Sequence, residues 1–261
     1  VVLVIDEYPY LAGSAAGISS LLQVQIDEKF KNSKLFLILC GSSMSFMENQ
    51  VLGYKSPLYG RRTAQFKILP FDFFETKEYF QSFNFYDLAI IYGITGGIPQ
   101  YLTQMDDQLS VEANIKNNFL YSSAYLFEEP TNLLKQEVRE PANYNAIINA
   151  IATGSSKSSE ISSKVGLESS ACSTYLKNLI ALGIIKKEKP ITEDSLRKTI
   201  YTIEDNLFRF WYRFIPNNVS LIQNGMVELA YQRIVEQLTD FMGGVFEDIC
   251  KQWLWRENAV G

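Results

Sequence analysis

Val1-Val2-Leu3-Val4-Ile5-Asp6-Glu7 and Leu35-Phe36-Leu37-Ile38-Leu39-Cys40-Gly41-Ser42-Ser43 are the stretches on which the fold turns. Each opens as an unbroken apolar run, the pattern of a strand buried on both faces of a parallel sheet. Between them Ile18, Leu21, Leu22, Ile26 and Phe30 recur at helical spacing, so the segment reads as a βαβ unit. A right-handed crossover then brings Asp6, Glu7, Ser42 and Ser43 to one C-terminal sheet edge, where open α/β sheets bind ligands. Two carboxylates there can hold a hydrated Mg²⁺ and polarise a water. Acidic turn residues also end many strands without that role, and Ser42 or Ser43 can serve as N-cap of a short helix around Met44–Val51.

Downstream, Gly60-Arg61-Arg62-Thr63 precedes a third strand-like stretch, Ala64 to Leu69, which Pro70 stops. A guanidinium just before such a strand can stabilise charge on a transferring phosphoryl group, and an Arg-Arg pair can equally be a solvated turn. From Phe71 to about Val138 the pattern is helical, with Phe73, Phe74, Tyr79, Phe80, Leu88, Ile90, Ile91 and Tyr92 at core spacing. Gly96-Gly97-Ile98-Pro99 within it reads as a helix C-cap and turn.

Ala142 onward reads as a winged helix. Its first helix carries Ile147, Ile148 and Ile151, its second Ile161 and Val165, and its third Ala171, Tyr175, Leu176 and Leu179, ended by Gly183. Ile184-Ile185 and Thr199–Ile203 make the wing around a polar loop over Lys186–Lys198. Residues 144–204 hold eight Lys/Arg against six Asp/Glu in a chain of net charge −5, a contrast in the direction of duplex DNA contact. Lys177 on the third helix and Lys186, Lys187 and Lys189 on the wing are the candidate contacts. Winged helices also dock proteins, and that alternative stays open.

Composition narrows the chemistry. The 261 residues contain no histidine, which removes Ser-His-Asp and Cys-His catalysis and His-ligated zinc. Three dispersed cysteines, Cys40, Cys172 and Cys250, fit neither a zinc cluster nor a disulfide framework, and point to a reducing cytoplasm. No apolar run reaches the roughly 18 residues of a bilayer span, so no membrane partner is expected. The chain begins without Met on a buried-strand pattern, and the expectation is a fragment that starts inside a fold.

Leu3–Leu11 (LVIDEYPYL), the strand ending Leu39–Ser43 (LCGSS), Leu58–Arg62 (LYGRR), the run into Pro70-Phe71 and Gly96–Leu102 (GGIPQYL), in that order, resemble the archaeal-type P-loop ATPase family within the AAA+/STAND group. The resemblance implies an α/β plus α fold. Residues 1–70 would be the C-terminal half of a parallel-sheet core and 71–140 a helical lid. A winged helix would occupy 141–205, and 206–261 would start an extension similar to restriction-endonuclease folds. It further implies ATP and Mg²⁺ as cofactors, with Asp6 as the Walker B magnesium acid, Glu7 as the water-activating carboxylate and Ser42 or Ser43 as the sensor residue. Arg61 would be an arginine finger, with Arg62 as fallback, and self-association would follow where a finger acts across subunits. Gly97 and Pro99 match an element that approaches the nucleotide base. Gly244-Val245-Phe246-Glu247 would open the extension's first helix, where Glu247 also reads as an ordinary helix acid.

One departure stands out. No Gly-x-x-x-x-Gly-Lys-Ser/Thr occurs in the sequence, and Gly154-Ser155-Ser156-Lys157-Ser158 lacks both the Gly-Lys pair and a preceding strand. The phosphate loop is expected upstream of Val1. The competing expectation is a non-catalytic DNA-binding or docking module.

Overall fold

β1 (Val2–Ile5) and β2 (Phe36–Leu39) pair in parallel, from Val2 opposite Phe36 to Ile5 opposite Leu39. They belong to a computed structural model that describes residues 1–42, 46–188 and 199–257. α1 (Tyr8–Ser14) and α2 (Ile18–Glu28) connect them. Tyr8, Leu22, Val51 and Leu58 are buried together, with Ile5, Ile18, Ile26, Phe30 and Leu39 packed around them. This small core covers one face of the sheet.

The other face corrects the expectation of strands buried on both sides. Val2, Val4, Phe36 and Ile38 share it by register and are 63, 52, 61 and 37% exposed. An apolar run records a preference for strand, but burial needs a covering layer, and no described residue supplies one here. The third strand is corrected for a related reason. Residues 64–69 form no ladder among the described residues, and Phe66 and Ile68 are 83 and 88% exposed. A strand's backbone groups must pair with a neighbour, and an apolar run records the preference without the partner. Over the span expected as a short helix, Met47–Val51 forms one wide π-type turn.

The chain divides into two compact units, Val1–Ile68 and Leu69–Gly261. The second opens with α3 (Phe73–Tyr79), started by a reciprocal capping box between Asp72 and Glu75. α4 (Phe85–Thr95) follows, buried from Leu88 to Thr95, and then α5 (Pro99–Leu102), α6 (Val111–Phe119) and α7 (Glu129–Glu137). α8 (Pro141–Ala152), α9 (Ser158–Val165) and α10 (Ser169–Ala181) lead into the antiparallel pair β3 (Ile185–Glu188) and β4 (Ile200–Ile203). Gly183, at φ 74°, makes the left-handed turn out of α10. α11 (Asn206–Phe214), α12 (Val219–Gln223) and the 30-residue α13 (Val227–Arg256) complete the unit. Gly244–Glu247, expected to open a helix, lies well inside α13.

One continuous core runs through this unit from Phe73 to Ile249. Its spine is α11, which buries Phe208, Phe210, Trp211, Tyr212 and Phe214. Trp211 donates its Nε1–H to the Phe127 carbonyl at 2.7 Å, and the Tyr212 hydroxyl bonds Asn145 of α8. The helices before the winged helix and the winged helix itself are thereby joined through α11.

Candidate functional site

The C-terminal edge of the parallel pair is laced together by its own backbone. Cys40 N donates to Ile5 O at 3.1 Å, and Tyr8 N donates to Cys40 O at 2.9 Å. Gly41 lies so close to Pro9 that a Cβ there would sit 2.4 Å from the proline Cδ. Glu7 turns the chain from β1 into α1 in the left-handed conformation, φ 48° and ψ 43°, alone among the described non-glycine residues. That region costs a side-chain-bearing residue on the order of 1–2 kcal/mol. Such strain persists only where surrounding structure enforces it.

The lacing brings Asp6, Glu7, Cys40 and Ser42 together. Asp6 Oδ1 accepts the Glu7 N–H at 2.9 Å and the Cys40 thiol at 3.2 Å. Ser42 donates its hydroxyl to Glu7 Oε2 at 3.4 Å. Asp6 is exposed and Glu7 half-buried. The Cys40 thiol is pushed up from its ordinary pKa, first by its bond to Asp6 and then by burial and the charges of Asp6 and Glu7. Ser43 lies outside the described residues. Among the described residues no three His, Cys, Asp or Glu side chains are arranged to enclose a metal. Two carboxylates and a hydroxyl at an open edge suit a hard cation that keeps waters and takes its other ligands from phosphates, which is how Mg²⁺ is bound.

Arg61 stands elsewhere in the same unit. Its Nε and Nη2 bond the Asp27 carboxylate at 3.0 and 2.6 Å, and its Nη1 bonds the carbonyls of Pro57 and Tyr59 at 2.9 and 3.1 Å. Arg61 first, then Lys31, lowers the Asp27 pKa to about 2. The guanidinium thus braces the 57–61 turn against the end of α2, while Arg62 beside it is exposed. Nothing in the sequence marks Asp27 as this partner, because the contact spans 34 positions.

In the second unit Gly97 is a buckle. Its carbonyl accepts the Phe71 N–H at 2.9 Å, its φ is 70°, and a Cβ would sit 1.9 Å from the Phe71 carbonyl oxygen. Pro99 is exposed at the start of α5.

The candidate DNA contacts separate. Lys177 is exposed on α10, whose outer surface also carries Ser169, Ser170 and Thr174 and whose span contains no acid; Lys187 is exposed on β3. Lys186 faces the opposite way, 28% exposed, toward Glu188 at 3.0 Å and Asp248 of α13 at 3.7 Å. Asp248 also holds Arg209 at 3.1 Å. These residues line a cleft of about 420 Å³ between the wing and α13. Glu247, singled out from sequence, pairs with Lys251 at 2.8 Å on the same helix. Lys189 lies outside the described residues.

Comparison with known proteins matches residues 1–105 to a family model described as an ATPase domain predominantly from Archaea. Residues 146–186 match a winged helix-turn-helix DNA-binding model, and residues 211–261 match a family of archaeal and bacterial proteins of unknown function. An uncharacterised protein of Methanocaldococcus jannaschii is 38% identical over 264 residues, covering 99% of this chain. The chain spans 58% of that relative's length. No solved structure matches. Among the described residues no helix is long and apolar enough to cross a membrane.

Proposed function

We propose that Val1–Ile68 supplies the metal-and-water side of an ATP-hydrolysing site in a longer AAA+/STAND-like switch protein. The observation that carries the reading is the convergence of Asp6, Glu7 and Ser42 on one C-terminal edge of a parallel strand pair. The match of residues 1–105 to an archaeal ATPase domain supports it. In this reading Asp6 would hold a Mg²⁺ ion, which would supply positive charge to neutralise phosphate oxygens. Glu7 accepts a proton from the attacking water, and Ser42 fixes the Glu7 carboxylate. Ser43 remains a candidate beside it. Arg61 would have to give up Asp27 and two carbonyls to reach a phosphate, which makes the exposed Arg62 the readier finger, acting across a self-associated pair. Because Leu69–Gly261 shares one core, a nucleotide-driven movement would carry the winged helix and the helices before it as one body.

Phosphate-loop N–H groups and a lysine provide most contacts to a triphosphate, and this sequence contains no such loop. Calorimetry should therefore find micromolar ATP–Mg²⁺ binding in the longer protein and none in residues 1–261 alone. Micromolar binding by the 261 residues would contradict the division of roles.

A second reading, duplex DNA binding through the winged helix, is favoured by the acid-free outer surface of α10 and by the match of residues 146–186. Lys177 and Lys187 are the contacts, while Lys186 is engaged by Asp248. Replacing Lys177 and Lys187 by Glu should flatten the slope of log K against log salt by about 2 units, since each phosphate contact contributes about 0.9. Lys186→Glu should leave the slope nearly unchanged. Anisotropy titrations at several salt concentrations measure both, and absence of duplex binding at low salt would assign the surface to protein docking.

A further inference from the structure

We infer that Cys40 is a positioning residue, holding Asp6 in the pose that presents one carboxylate oxygen to the metal; the inference rests on the ATPase reading above. Both backbone groups of Cys40 are already committed, N–H to Ile5 and carbonyl to Tyr8, so its side chain has little freedom beyond one torsion. That torsion places Sγ 3.2 Å from Asp6 Oδ1 and 3.8 Å from Ile5 O. The Glu7 N–H donates to the same Oδ1. Two donors on one oxygen fix the plane of an otherwise exposed carboxylate and leave Oδ2 as its open acceptor among the described residues.

The chemistry of the donor matters. A lysine or arginine at this position would neutralise Asp6 and compete with the cation. A thiol is a weak, uncharged donor, so it orients the carboxylate while leaving its negative charge for the metal. A hydroxyl could do the same work, whereas a methyl group could not.

The test compares Cys40→Ala and Cys40→Ser in the longer protein by following phosphate release against Mg²⁺ concentration at saturating ATP. Losing one hydrogen bond to a charged group corresponds to roughly tenfold. Cys40→Ala should therefore raise the half-saturating Mg²⁺ concentration about tenfold while kcat at high Mg²⁺ stays within about twofold. Cys40→Ser should restore the wild-type value. An unchanged Mg²⁺ dependence in Cys40→Ala, alongside a wild type that needs Mg²⁺ and an inactive Glu7→Gln, overturns the positioning role and leaves the ATPase reading standing. A wild type without Mg²⁺-dependent turnover overturns both.

A readout on residues 1–261 needs no nucleotide. Infrared spectroscopy reads the bond itself: a thiol that donates to a carboxylate stretches at lower frequency than a free one, so the Cys40 S–H band, identified by its loss in Cys40→Ser, should move to higher frequency in Asp6→Ala. An unchanged band would show that the thiol and Asp6 do not interact, and would overturn the inference even if Cys40→Ala failed to fold.

Discussion

Glu7→Gln should lower the ATP turnover of the longer protein by about 10²–10⁴, the range general-base catalysis supplies, and leave ATP binding within a few-fold of wild type. The amide keeps the size of the side chain and can still meet Ser42, but it cannot accept a proton from water. Asp6→Asn should behave differently, because its carboxylate charge acts on the cation; both Mg²⁺ affinity and turnover should fall. Calorimetry with ATP–Mg²⁺ beside steady-state phosphate release separates the two. Equal losses of binding in both variants would reverse the roles. The left-handed backbone at Glu7 adds a signature that a bystander acid would lack. Glu7→Gly should be as inactive as Glu7→Gln yet more stable by about 1 kcal/mol, since glycine adopts φ 48° without the Cβ penalty.

Gly97→Ala should destabilise the second unit by about 3 kcal/mol or more, a drop in Tm of roughly 6–12 °C for a chain of this size. Three costs coincide. The residue sits at φ 70°, where an added Cβ costs about 1–2 kcal/mol. That Cβ would lie 1.9 Å from the Phe71 carbonyl oxygen, a backbone atom that cannot rotate away. Relieving the clash breaks the Phe71 N–H to Gly97 carbonyl bond, worth about 1 kcal/mol. Gly183→Ala is the matching control, with φ 74° and nothing within 4 Å of the added Cβ. It should cost only the conformational part. Thermal unfolding of the two variants gives the difference, and equal shifts would show that the Gly97 buckle does not constrain the chain entering this unit.

Asp6, Glu7 and Ser42 were readable as neighbours because two apolar runs of matched length end beside them, and parallel pairing through one crossover leaves a single way to bring those ends together. The winged-helix elements were readable for a similar reason, since Leu176, Leu179 and the glycine at 183 follow helical spacing and a stop signal. Contacts made by single polar atoms across long separations were not. Asp27 meeting Arg61, Asp248 meeting Lys186 and Cys40 meeting Asp6 leave no periodic trace, because one charge or one thiol on a surface-like pattern looks the same with or without a partner. The aromatic run over Phe208–Phe214 is plain in the sequence, but its role as a spine depends on Phe127 and Asn145, which lie 84 and 67 positions from their partners. Residues 64–69 failed in the opposite direction. Their apolar run states a preference for strand, yet among the described residues they pair with no other strand.

Mg²⁺-dependent release of phosphate from ATP by the longer protein, measured beside its Asp6→Asn variant, tests the central assignment most directly. The edge formed by Asp6, Glu7 and Ser42 predicts release that saturates with Mg²⁺ in the wild type and falls by at least about tenfold in Asp6→Asn at the same Mg²⁺ concentration, as loss of a metal-ligand charge requires. Release that is unchanged by Asp6→Asn, or a protein that binds ATP and never hydrolyses it, would contradict the account.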